Sequence, residues 1–322
     1  MSGRKNRDHI YIEPEADGAE KLYFPLAQSH ASNSLQKKLT SKIEDPEQCD
    51  LIGNATIIYD DIRLYINDYR QRDGVSQSAA MLLDSLMIMA TIDGLRSTLV
   101  RLPINEYMAI RGLKNVKEAR AQARRDIDAL ERVKFEYRGT GRQREQWLKV
   151  SISGGTVGQT HRGDILFRFN EDFFDIFKVS ERNKYIFMYF PREALYGNIR
   201  CHPHKYWLAR KISEHKRMNL GKSNEDIISV ATLLDACPTL PTYEEVMATG
   251  RAVRQRILSP FERDLDALRN SFAWEYIGLN EADMDYKSFV KATIKISWVA
   301  YPDTTNLGEE KAKRSKRAKK RG

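Results

Sequence analysis

A chain of 322 residues exceeds the usual size of one domain, so two modest domains with additional end segments are the default expectation. No apolar run approaches the ~18 residues of a membrane span, and the segment opening at Met1 holds no apolar signal-peptide core. Cys49, Cys201 and Cys237 are too far apart for a CxxC zinc ribbon or a disulfide framework, so a reduced, cytoplasmic setting is expected. The net charge of +9 is concentrated in two places, Arg111 to Lys149 with twelve Lys or Arg against six Asp or Glu, and Glu309 to Gly322 with eight against two. The rest of the chain is left slightly acidic, which points to two local basic surfaces and a polyanionic partner rather than a general solubility charge.

Residues 1–53 mix charge, Ser, Asn and Pro with little periodicity and read as a mostly disordered arm, in which only the apolar piece Leu22 to Leu26 is fit to dock. Order is expected from Asn54, with a strand over Ala55 to Tyr59 and a short helix through Tyr69. Ser76 can cap a core helix with Ala79, Leu82, Leu83, Leu86, Met87 and Ala90 at 3-4 spacing, ending at Gly94. Thr98 to Leu102 reads as a strand stopped by Pro103. A brief helix to Arg111 follows, Gly112 breaks the chain, and Asn115 can cap a longer helix from Val116 to about Glu131. Helix, tight glycine turn, helix is the helix-turn-helix pattern. Alternation at Val133, Phe135 and Tyr137, a Gly139-Thr140-Gly141 turn and alternation at Leu148, Val150 and Ile152 predict a hairpin placed as a wing. Gly154, Gly155 and Gly158 should loosen the chain before strands at Ile165 to Phe169 and Tyr185 to Phe190 that flank a helix over Glu171 to Phe177.

The pattern then recurs without close sequence identity. His202 and Pro203 open a helix ending near Gly221, Ile227 to Val230 precede a small helix through Cys237, and Tyr243 to Met247 and Arg251 to Leu258 read as helical. Ser259, with Pro260 and a capping-box Glu262, starts another helix, and Ala273 to Tyr276 with Ala292 to Val299 form a second wing. The resulting fold class is α+β: two tandem winged-helix-like domains, 54–200 and 201–303, between the arm and a basic, disordered tail at 304–322.

Lys117, Arg120 and Arg124 share one helical face, with Arg125 beside it and Arg138, Arg142 and Arg144 near the tip of the expected wing. Such a face can bind phosphates and, through guanidinium forks, guanine edges. Asp126, Asp128 and Glu131 are local charge partners that fit an ordinary solvated face equally. In the second module Arg254, Arg256, Arg263 and Arg269 are partly offset by Glu262, Asp264 and Asp266, which leaves DNA contact and dimerisation both open. Gly221-Lys222-Ser223 lacks the first glycine and the strand of a phosphate loop. Cys201-His202-Pro203-His204, near Tyr196 and Tyr206, has the residue types of a rolling-circle nicking site, but Pro203 belongs to a helix start rather than a strand. No cofactor, metal or catalytic group is assigned.

The segments HPHKYWLARKISEHKRMN, ISVATLLDACPTLPTYEEVM and SPFERDLDAL with Trp274-Glu275-Tyr276 resemble replication-initiator-like proteins of Gram-positive plasmids and integrative elements, over Phe187 to Asp303. The resemblance implies winged-helix domains on repeated origin DNA, a monomer-dimer switch and recruitment of host replication proteins. The expected function is therefore non-catalytic, sequence-specific binding of double-stranded DNA to start replication of a plasmid or mobile element. A transcriptional regulator of the same architecture and a metal-dependent nicking nuclease are the alternatives.

Overall fold

A computed structural model describes residues 22–39, 49–50, 54–58, 62–67, 75–138, 147–179, 184–185, 187–197, 199–249, 252–278 and 285–302. In chain order these form β1 (Tyr23–Ala27), α1 (His30–Leu39), β2 (Ala55–Ile58), β3 (Ile62–Ile66), α2 (Gln77–Ile92), β4 (Leu99–Leu102), α3 (Ile104–Arg111), α4 (Val116–Glu131), β5 (Val133–Arg138), β6 (Trp147–Ser151), β7 (Ser153–Gln159), β8 (Ile165–Phe169), α5 (Glu171–Asp175), β9 (Lys178–Val179), β10 (Lys184–Tyr185), β11 (Phe187–Pro191), α6 (Arg192–Leu195), α7 (Lys205–Asn219), β12 (Ile227–Ser229), α8 (Val230–Asp235), α9 (Tyr243–Ala248), α10 (Ser259–Asp266), β13 (Phe272–Ile277), α11 (Tyr286–Lys291) and β14 (Thr293–Trp298). Helix and sheet are thus mixed throughout. No helix among the described residues is long and apolar enough to cross a membrane.

Two three-stranded antiparallel sheets share one order. In the first, β4 lies at one edge, β8 in the middle and β7 at the other edge; in the second, β12, β14 and β13 take the same places. In both, a helix precedes the first strand and at least two helices separate it from the second. The local signals behind the first helices act as expected. Ser76 caps α2 through Ala79 N, Gly112 ends α3 in the left-handed region at φ 61°, and the Asn115 side chain accepts from the amides of Lys117 and Glu118 at 2.8 and 3.4 Å. Helix α2 is buried on nearly every side, fourteen of its sixteen residues, rather than along one stripe, which marks it as the central core helix.

Several expectations are corrected. The hairpin at 133–152 forms as β5 and β6, but β5 pairs with β3 in a separate four-stranded sheet ordered β2-β3-β5-β6, so it is not the hairpin that joins β4. That place belongs to β7 and β8. The glycine-rich stretch is a bulged strand and not a loosened linker: a Cβ on Gly154 would sit 2.7 Å from the Phe169 carbonyl oxygen, and Gly155 at φ +88° makes the irregularity. Residues 62–66 form a strand, β3, where a helix was expected, because Leu64 and Ile66 alternate inward and are fully buried.

The arm expected over 1–53 holds structure at 22–39. Strand β1 pairs antiparallel with β11 from Tyr23–Pro191 to Ala27–Phe187, and α1 buries Ala31, Leu35 and Leu39. Helix α7 starts at Lys205 rather than at His202, and Ser259 does not open a helix. The chain is already helical from Val253, through a π-helical turn at Arg254–Leu258. Pro260 explains the wide turn: its ring would collide with the carbonyl of Arg256 in a regular α-helix, and the extra residue relieves that contact.

A single hydrophobic cluster runs from Phe24 to Ile296 across both halves. Helix α7 packs on β11, and its Tyr206 and Arg210 reach the buried Asp84 of α2 at 2.6 and 2.9 Å. Gln36 of α1 completes that site, donating at 2.8 Å. The Tyr23 hydroxyl of β1 donates to the carbonyls of Ser271 and Val299 in the second half. The N- and C-terminal halves of the chain are therefore joined by a packed, hydrogen-bonded core.

Candidate nucleic-acid interface

Helix α4 buries Ala119, Ala123, Ile127 and Leu130 and leaves Lys117, Arg124 and Arg125 exposed, as the spacing requires. Val116, at the first position of the helix, is 41% exposed. Arg124 Nε donates to Gln159 Oε1 at 3.3 Å and Arg125 Nη2 to Gln122 Oε1 at 2.6 Å. Arg120 is half-buried: its Nη2 donates to the His161 carbonyl at 3.1 Å, and its stem lies against Gly163. Arg138 closes β5, in the sheet away from β4, and Arg142 and Arg144 lie outside the described residues.

Asp126 is not a charge partner for the basic face. It is 1% exposed and accepts from Ser78 of α2 (2.6 Å), Tyr107 of α3 (2.6 Å) and Gln122 (2.9 Å), so it fixes α4 against the other two helices. Burial, and next the negative charge of Asp126, keeps the Tyr107 proton bound well above the ordinary tyrosine range.

In the C-terminal half Arg254 and Arg256 are exposed on the π-helical turn, Arg263 donates through Nε to Asp264 at 2.8 Å, and Arg269 is exposed just beyond α10. Asp264 is fully buried. It accepts from the His204 amide at 2.7 Å and lies 3.1 Å from His202 Nδ1, while His204 Nδ1 meets Thr239 Oγ1 at 2.8 Å. The two histidines are thus occupied in holding α10 to the start of α7, and the described residues contain no group of three or more His, Cys, Asp or Glu able to hold a metal ion. Burial pushes the His204 ring below its ordinary pKa against the pull of Asp264.

The two buried aspartates belong to a sequence repeat. Arg125-Asp126-Ile127-Asp128-Ala129-Leu130 matches Arg263-Asp264-Leu265-Asp266-Ala267-Leu268, and in both the first Asp is buried and accepts from the N-terminal end of its module's first helix. The pattern, five identities in six residues, is visible by self-comparison of the chain.

The turn between β7 and β8 was also missed. His161 and Arg162 are exposed at its tip, and Asp164, beyond Gly163, accepts from Arg101 Nε at 3.0 Å and from the Ile104 amide at 3.1 Å. The Gly163-Asp164 pair before alternating Ile165, Phe167 and Phe169 was the available signal. Burial acts to raise the Asp164 carboxyl, but the hydrogen bonds from Arg101 and Ile104, with the Arg101 and Arg162 charges, hold it below its ordinary value of 3.8. A depressed folded pKa means that the anchor is in place above that ordinary value and is lost as pH falls through the lower folded one. The Ile104 amide shift followed by NMR on acidification should report this step, and Asp164→Asn should remove it.

No family model matches the chain, and no curated protein matches it. Among solved structures it is similar to selenomethionine derivatives of domains 2 and 3 of RctB, at 12% identity and a TM-score of 0.45 over 82% of this chain and 98% of that one. It is similar also to the Pi initiator protein in complex with iteron DNA, at 13% identity and 0.44 over 77% and 100%, and to a second structure of RctB domains 2-3, at 13% and 0.43 over 82% and 96%.

Proposed function

We propose that this chain is a sequence-specific double-stranded DNA-binding protein, built on two winged-helix-like modules, that starts replication of a plasmid or mobile element by binding repeated origin sequences. The observation that carries the DNA-binding part is helix α4, locked to its module by Asp126 while Lys117, Arg124 and Arg125 face solvent on its other side. A rigid helix with a cationic outer face can enter a major groove without paying to order itself there. The shared edge-middle-edge strand order and the repeated Arg-Asp-x-Asp-Ala-Leu support reading the second module the same way, with Arg254, Arg256, Arg263 and Arg269 at its surface. The replication role rests on the sequence resemblance of the C-terminal half. Self-association, recruitment of host replication proteins and sequence-independent attraction of phosphates by the tail at 304–322 belong to the same proposal.

Selection of bound fragments from the DNA of the parent replicon tests it. Clustered direct repeats are expected, whereas a lone promoter palindrome would favour a transcriptional regulator. On a recovered fragment, Arg124→Ala should cost on the order of 1–3 kcal/mol, and much less on random duplex, if its guanidinium reaches a base edge. The side chain is exposed, so the unfolding midpoint should not move.

A further inference from the structure

We propose that a single water molecule is built into the protein where α1, α2 and α7 meet, held by the carbonyl oxygen of Gln36 in a small cavity beside the Asp84–Arg210 pair. The inference is independent of the DNA-binding reading. A cavity of about 10 Å³ lies there, and every residue around it is buried. Its polar wall is Ser32 and Gln36 of α1, Asp84 of α2 and Arg210 of α7, and Met87 and Phe173 are among the apolar side chains that complete it. Gln36 is 2% exposed. Its Nε2 donates to Asp84 Oδ1 at 2.8 Å, but its Oε1 has no hydrogen-bond partner among the described residues. Turning the amide over offers no escape, because its oxygen would then face the Asp84 carboxylate and the orphan would be a donor.

An amide oxygen left bare in the core gives up its bonds to solvent and gains nothing in exchange, so such atoms are normally met by protein or by ordered water. Size and chemistry choose the occupant. One water needs roughly 10–15 Å³ and about two to four polar partners, and a cavity at that lower limit excludes any organic ligand. An apolar guest would leave Oε1 bare, a cation would sit against the Arg210 guanidinium, and an anion would sit against the Asp84 carboxylate. Water can donate to Oε1 and still accept. Partners for its other groups are at hand: Asp84 uses three of its about four lone-pair positions, for Gln36, Tyr206 and Arg210. Ser32 Oγ accepts from the Ser29 amide and donates to the Ser29 carbonyl, which leaves it a lone pair. Arg210 Nη1 is committed to Asp84 at 2.9 Å, whereas Nη2 reaches Asn33 Oδ1 only at 3.5 Å, so that end of the guanidinium has a proton to give. A molecule held in this way ties α1 to α2 and α7 as a fixed part of the structure, not as an inlet for bulk solvent. It also helps Asp84 stay ionised against the burial that pushes its carboxyl up.

High-resolution crystal structures of the full chain, as the parent and as Gln36→Met, test the site directly. In the parent a density peak should stand roughly 2.5–3.0 Å from Gln36 Oε1, and a resolved but empty cavity overturns the proposal. Methionine keeps the length of the side chain without its carbonyl, so the peak should be lost in Gln36→Met; a peak that stays in place overturns Gln36 as its holder. Nuclear magnetic resonance supplies a second readout that does not depend on that variant folding. In the parent, magnetisation should pass from water to the Gln36 side-chain amide protons with opposite signs in the laboratory and rotating frames, as it does from a molecule that tumbles with the protein. Transfer with the sign of mobile surface water, or none, counts against a bound molecule and overturns the proposal in solution. Ser32→Ala should keep the signal, and its loss there would assign it to relay through the exchanging Ser32 hydroxyl instead of to a water on Gln36.

Discussion

Replacing Asp84 with Ala is expected to cost about 3–5 kcal/mol of stability, because it strands a buried guanidinium. Asp84 is 2% exposed in the centre of α2 and accepts from Arg210, Tyr206 and Gln36, which come from α7 and α1. The Arg210 side chain is itself 9% exposed, so water cannot take over. Burial pushes the Asp84 carboxyl above its ordinary pKa, and the Arg210 charge with the Tyr206 and Gln36 hydrogen bonds opposes that push. The pair is therefore a junction device more than a source of net stability. Replacing both partners together, Asp84→Leu with Arg210→Met, should recover most of the loss. Urea unfolding followed by tryptophan fluorescence is a direct readout, since Trp207 is buried beside Tyr206 with ring centroids 4.8 Å apart. The single variant should lower the midpoint and separate the unfolding of the two halves; an unchanged single transition would mean that the ion pair does not join them.

The second large effect is expected at the repeated aspartate. Asp126→Ala removes the common acceptor of Ser78, Tyr107 and Gln122 and leaves buried donors unpaired. Hydrogen bonds to a charged group are each worth about 1.5–3 kcal/mol and are not additive, so a loss on the order of 3–5 kcal/mol is expected. Asp126→Asn, which keeps an acceptor oxygen, should lose less. The equivalent Asp264→Ala frees the His204 amide and His202 in the other module and should act on that half. Hydrogen exchange distinguishes the outcomes: protection should fall first in α3 and α4 for Asp126→Ala and in α7 and α10 for Asp264→Ala. Equal loss across the chain for both would show that the two aspartates do not hold separate modules.

Local signals in this sequence were legible because their physics is local. Asn115, Ser76 and Gly112 act on backbone groups a few residues away, and α2, α3 and α4 fall where those residues place them. The hairpin at β5 and β6 was legible too, but not its sheet, since nothing within 133–152 says whether Phe135 will face Leu64 of β3 or a residue of β4. Burial of Asp126 and Asp264 was hidden for a similar reason. A carboxylate beside arginines on a helix reads as a surface partner until Tyr107 or the His204 amide is seen to reach it from another element. Ser259 misled because serine, proline and glutamate in that order fit a helix start, while the chain keeps its helix by widening the turn. In α1 and β1, charged and polar neighbours diluted an apolar set, Tyr23, Phe24, Leu26 and Leu35, that is almost wholly buried.

Strand β1 also constrains the order in which the molecule can be completed. Its tyrosine, Tyr23, bonds to Ser271, 248 residues onward, and to Val299, 276 residues onward. During synthesis the strand is made long before either carbonyl, or its sheet partner β11, exists to receive it. The N-terminal half can build β4, β7 and β8 around α2 from nearer contacts, but the seam holding Tyr23 to the C-terminal half closes only when residues near 300 are available. Closing so long a loop adds little equilibrium penalty, because loop entropy grows only logarithmically with length, yet it makes the seam a late event in folding. Until then the ring of Tyr23 lacks Trp298 and Tyr301, the aromatic neighbours it packs against, and nascent chains stalled before Val299 should be the form of this protein most prone to chaperone capture.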